Sequence, residues 1–151
     1  MIRKLILASL AALMMSGCTP MSPFRPVERF FLANTDQSEI REAVAEAAAE
    51  MQWKVAEEEP NRMLLSFPSK AVSNYRLVIE VTWTHTSLQA RYYDSTGLRV
   101  YDNCGDSDTG GMYTIRYWGT CINSKPVQRF NRLMDRIAQK VHEKERRQPL
   151  L

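Results

Sequence analysis

Two histidines, three cysteines and a run of acidic residues between positions 102 and 108 are the side chains of this chain best suited to chemistry. Histidine is the usual general base near neutral pH, and His85 precedes an Asp94–Ser95 pair. Together Ser95, His85 and Asp94 would supply a nucleophile, a base and an orienting acid. Asp94 and Ser95 are adjacent, however, and neighbouring side chains on extended backbone point to opposite faces. His142 falls in the charged C-terminal stretch. The chain carries no GxSxG, HExxH or phosphate-cradling glycine loop, so the expectation is a protein without catalytic activity. The acidic run invites a calcium reading, because calcium takes oxygen ligands at alternate positions. Asp106, Asp108 and Gly111 match the opening of an EF-hand loop, but Gly110 stands fifth and Tyr117 twelfth, where a bidentate glutamate belongs. Two cysteines with distant His85 and His142 make no zinc motif. Neither a metal nor a cofactor is expected.

Cys18 carries chemistry of another kind. It closes a stretch in which Arg3 and Lys4 form a positive start, residues 5–14 are an apolar run, and Met15, Ser16 and Gly17 form a small-residue cleavage site. The run is about half the ~20 residues a helix needs to cross a hydrocarbon core, so residues 1–17 read as a cleaved export signal. The segment resembles the lipobox of exported bacterial lipoproteins. That resemblance implies cleavage before Cys18, diacylation of its thiol and further acylation of its new amino group. Two or three chains anchor stably where one holds weakly. By the same resemblance Thr19, rather than aspartate, is the arrangement for forwarding to the outer membrane. The expected location is the periplasmic face of that membrane, with the acyl chains of Cys18 as the membrane contact.

Removing 17 of the 151 residues leaves 134, enough for one domain with a single core. The whole chain has 20 basic and 17 acidic side chains, and loss of Arg3 and Lys4 brings these to 18 and 17. A near-neutral domain offers no concentrated basic face for nucleic acid. With Cys18 assigned to lipid, Cys104 and Cys121 remain as a pair. An oxidising periplasm permits a disulfide between them, and closing the loop would stabilise the fold by ~3 kcal/mol.

Residues 19–27 contain Pro20, Pro23 and Pro26 and read as a tether, with 28–33 as an edge strand that brings it onto the domain. The segment 18–35 is thus anchor, tether and edge strand. Asp36 with Glu39 three residues later marks a helix start, and Ile40, Val44, Ala47 and Met51 give its apolar stripe. From Trp53 the period becomes two. Strands are expected at Trp53 and Val55, at Met63, Leu65 and Phe67, at Tyr75 through Trp83, and at Leu88, Ala90 and Tyr92, with residues 94–97 breaking the last. The third has the longest strict alternation and should be central. Residues 98–123 form a cysteine-closed hairpin whose returning strand is expected over 112–118. A second helix opens after Ser124 with Pro126 in its first turn. Its stripe is Val127, Phe130, Leu133, Met134, Ile137 and Val141, with Arg129, Arg132, Arg136 and Lys140 on a solvated side. Residues 36–142 then form the domain and 143–151 a fraying tail. Hairpin-length connections and one apolar face imply an α+β fold, an antiparallel sheet of four to six strands with two helices packed on one face.

This order of elements resembles a group of small proteobacterial lipoproteins. The shared positions include Ile40, Arg41, Ala43 and Trp53, then Tyr92, Asp94, Ser95, Gly97 and Leu98, then Phe130, Asn131, Arg132, Leu133 and Ile137. The likeness runs over about 38–141; Asn61 after Pro60 and the cysteine-closed insertion depart from it. It implies an α+β domain at the cell envelope and brings no catalytic residue. Two functions follow as expectations. One is a non-catalytic interaction or envelope-assembly module, with Leu64, Val78 and Tyr93 on the outer sheet face as the surface for an envelope protein partner. The other is a carrier for a small apolar ligand held between sheet and helices by Trp53, Phe67, Trp83 and Phe130.

Overall fold

Period-two patterning becomes eight strands and period-3.6 patterning two helices, described by a computed structural model over residues 20–31, 35–68, 75–106 and 117–147. Cys18 and the signal expected over 1–17 lie outside the described residues, as do Asp108, Gly110 and Gly111. The elements are β1 (Met21–Pro23), β2 (Val27–Phe30), α1 (Gln37–Glu50), β3 (Lys54–Glu59), β4 (Arg62–Phe67), β5 (Arg76–Trp83), β6 (Ser87–Thr96), β7 (Val100–Asp106), β8 (Tyr117–Asn123) and α2 (Ser124–Glu145). The chain is an α+β fold. One antiparallel sheet has five strands in the order β2-β6-β5-β4-β3, and a second has three in the order β1-β8-β7.

The strand with the longest alternation, β5, is central. Leu77, Ile79, Val81 and Trp83 face the helices with Met63, Leu65 and Phe67 of β4 and Leu88 and Ala90 of β6, and all are buried. Ile40, Ala43, Val44, Ala47 and Ala48 of α1 close this core. Their small side chains let the helix approach the sheet. Asp36 caps α1 by accepting from the Ser38 amide at 2.9 Å, which holds its carboxyl below the usual range. The helix ends with Gln52 at φ 63°, where the Gln52 amide donates to the Ala49 carbonyl and that of Trp53 to Ala48. These two bonds satisfy carbonyls that the last turn leaves open.

Four expectations need correction. The segment 20–26 is not a tether: β1 pairs with β8, and Phe24 is 2 % exposed, its ring 4.3 Å from that of Phe130 and 5.8 Å from that of Tyr92. Prolines tolerate this because β1 is an edge strand, and burial of a phenylalanine favours docking by ~2–3 kcal/mol. Asp94, Ser95 and Thr96 belong to β6, which continues to pair with β5 beyond the expected break. Helix α2 does not fray at 143 but runs to Glu145. Finally, Arg136 and Lys140 do not line a solvated side. Lys140 reaches Glu46 at 3.2 Å and Glu50 at 2.6 Å, Lys144 reaches Glu42 at 2.6 Å, and Arg136 donates to Glu50 at 2.6 Å. The ladder ties the two helices antiparallel, holding Glu46 and Glu50 below their ordinary pKa and Lys140 and Lys144 above theirs through hydrogen bonds between them.

Cys104 and Cys121 are joined, with Cα atoms 5.9 Å apart, on the paired strands β7 and β8. The returning strand is Tyr117–Asn123; residues 112–116 of the expected one lie outside the described residues.

Candidate functional site

The helices cover one face of the five-stranded sheet, and the alternate residues of its strands make up the other. Strand register decides which of them meet. Arg62 lies opposite Thr82, Leu64 opposite Glu80, Ser66 opposite Val78, and Gln89 opposite both Thr82 and Glu28. At the centre is Glu80, only 6 % exposed. Burying a carboxylate without partners is costly, and two arginines answer it. Nε of Arg62 donates to one oxygen at 2.7 Å, and Nε of Arg91 donates to the other. The Arg62 bond, then the Arg91 bond, hold the Glu80 carboxyl below its ordinary range. Arg62 also reaches Glu57 and Glu59, each at 3.1 Å, and these partners raise its pKa, Glu80 foremost. Its guanidinium carbon lies 5.8 Å from the centre of the Tyr93 ring.

Beside this cluster a cleft of about 430 Å³ is lined by Pro26, Val27, Glu28, Glu80, Thr82, Gln89, Ala90 and Arg91. Gln89 donates to Glu28 at 2.9 Å across the β2–β6 pair, setting one wall. The cleft offers carboxylate acceptors and the Arg91 guanidinium on an apolar floor, a composition suited to holding a polar backbone or a charged side chain of another molecule. Two large apolar rings stand on the same face: Tyr93, 51 % exposed, and Phe30, 75 % exposed on the edge strand β2.

Of the three residues expected to form a partner surface, only Tyr93 is accessible. Leu64 is 6 % and Val78 2 % exposed. They do lie on the outer face, Leu64 opposite Glu80 and Val78 opposite Ser66, but both sit on inner strands and are buried there. Sequence reasoning missed Arg62, Glu80 and Arg91. Each stands at a polar position of its own strand's alternation; their convergence depends on register, for which a single strand carries no signal.

The other candidates are held apart. His85 lies in the β5–β6 turn, where the Thr84 hydroxyl accepts from the amides of Thr86 and Ser87. Ser95 is at the far end of β6, and its hydroxyl meets that of Tyr92 at 2.9 Å. His142 bonds Glu145 at 2.7 Å. Trp53, Phe67, Trp83 and Phe130 are all core residues, with the Trp53 and Phe67 rings 5.4 Å apart. Trp83 Nε1 is buried without a hydrogen-bond partner among the described residues. Among those residues, no group of three or more His, Cys, Asp or Glu is placed to hold a metal ion, and no helix is long and apolar enough to cross a membrane. Comparison with protein-family models, curated proteins and solved structures returns no match.

Proposed function

We propose that this chain is a membrane-anchored envelope lipoprotein, held by acyl chains on Cys18, whose domain docks a protein partner through the outer face of its five-stranded sheet. The observation that carries the reading is the pairing of exposed Tyr93 with the Arg62–Glu80–Arg91 cluster on a face that neither α1 nor α2 covers. Tyrosine and arginine are the residues that most often dominate binding energy at protein interfaces, because they bring large contact area with a polar tip. The arginines are already oriented by Glu80, so little side-chain entropy is lost on docking. A photo-cross-linking residue at position 93, in cells producing the full chain, should yield one discrete protein adduct that Arg91→Glu abolishes. A probe at Gln139, exposed on α2, should not yield it. No adduct at 93, or the same pattern from both positions, rejects the docking face.

A second reading, carriage of a small apolar ligand, rests on the Trp83 indole N–H, buried with no hydrogen-bond partner among the described residues. A ligand acceptor there would satisfy it, since a buried orphan donor costs about 1–3 kcal/mol. Native mass spectrometry of protein taken from envelopes should then show a bound small molecule; a bare protein mass rejects the carrier.

A further inference from the structure

The same anchoring reading acquires an orientation from where the folded chain begins. Pro20, two residues after Cys18, is already pinned: its carbonyl accepts from the Ser124 amide at 3.0 Å and from the Ser124 hydroxyl at 2.8 Å. Met21 then enters register with Asn123, Ser22 bonds Ser124 at 2.8 Å, and Phe24 is locked in the core. Two residues of extended chain reach at most about 7 Å. An acylated Cys18 therefore leaves no slack between bilayer and domain.

The end of the molecule so placed carries two exposed cations beside Pro20. It is built from residues 20–24, 97–101 and 119–125, brought together by the β1–β8–β7 sheet and by the Arg99 amide donating to the Asn123 side chain at 3.2 Å. The charged residues these segments hold are Arg99 and Lys125, and the nearest acids on the adjoining strands are Asp94 of β6 and Asp102 of β7. Arg99 and Lys125 are exposed next to Pro20.

We infer that this end lies flat on an anionic lipid surface, with Arg99 and Lys125 against phospholipid head groups, and that the domain stands on the membrane in one orientation. The inference rests on the anchoring of Cys18. A cation within a Debye length of an anionic leaflet gains about fivefold in local partitioning, and a span shorter than that length keeps both residues there. His85 marks the opposite end. It precedes β6, whose ten residues span about 30 Å, whereas Arg99 follows that strand. In this orientation the outer sheet face stands along the membrane normal, open to a partner.

The test is photo-cross-linking in cells producing the full chain, with the probe at 99, 125 or 85, read by mass spectrometry of peptides for phospholipid adducts; the mass of the Cys18 peptide is recorded from the same sample. All three positions are exposed, so the probe leaves the core intact. The expected result is an acylated Cys18 with lipid adducts at 99 and 125 at least tenfold above those at 85. An acylated Cys18 with equal lipid adducts at all three positions, with none, or with protein adducts instead at 99 and 125 overturns the orientation and leaves the anchor standing. An unacylated Cys18 removes the anchor itself, and the orientation with it.

Discussion

Glu80 shows how one buried charge organises a surface. Its carboxylate takes one bond from each of two arginines on neighbouring strands, and the cluster is stable only as a set, because removing one partner strands the others in a poorly solvated place. Glu80→Gln keeps the shape and loses the charge. At about pH 7 it should destabilise the domain by about 1–3 kcal/mol in urea unfolding. The folded state holds Glu80 below its ordinary value of 4.5, so the unfolded chain takes up the proton first as pH falls. The stabilisation is full above that value and is lost as pH drops through the lower, folded one. The gap between wild type and Glu80→Gln should therefore narrow at about pH 3; a gap independent of pH would show that charge is not what Glu80 contributes. Glu80 as a polar position on an apolar strand was legible in the sequence. Its partners were not, because Arg62 is 18 residues away and Arg91 is 11, and only pairing joins them.

The helices and strands follow local rules closely, with one exception that is open to measurement. Gln52, just past the end of α1, has φ 63°, a region that costs a side chain with a Cβ and costs glycine nothing. The Schellman-type bonds from Gln52 and Trp53 require that geometry. Gln52→Gly should raise stability by about 0.5–1 kcal/mol after allowing for the freer unfolded chain, seen as a higher melting temperature. A lower one would mean that the Gln52 side chain contributes contacts outweighing the strain. The α1 start at Asp36, the central place of β5 and the Pro126 turn of α2 were all legible, because each depends on residues within a few positions. The helix ladder was not, since Lys140 and Glu46 look like ordinary surface residues until two helices pack antiparallel.

The domain boundary is a property of the whole molecule, and it moves the most. Phe24 links the N-terminal segment to both sheets and to α2 through Tyr92 and Phe130. Phe24→Ala should cost about 3–5 kcal/mol, as deletion of a fully buried aromatic does, measured by denaturant midpoint at unchanged slope. A loss below about 0.5 kcal/mol, the ordinary range for an exposed position, would restore the tether. The mechanical consequence is larger than the energetic one. With Phe24 in the core and Pro20 bonded to Ser124, a lipid on Cys18 would hold the domain directly on the bilayer, and any partner would meet a surface of fixed orientation.

By itself, the sequence determined the class of fold, the location and type of most elements, and the pairing of Cys104 with Cys121, now seen as a disulfide between adjacent strands. It also carries, in Cys18 and the residues before it, the grounds for expecting a lipid anchor. These rest on period, on capping and turn residues, and on cysteine arithmetic, all of which act locally or by composition. Only the tertiary structure decided that the proline-rich start is a strand, that Leu64 and Val78 are covered while Tyr93 stays open, and that Arg99 and Lys125 stand beside Pro20. The reason is the same in each case: register and packing join residues far apart in the chain, and no local pattern records which strand a residue will lie beside.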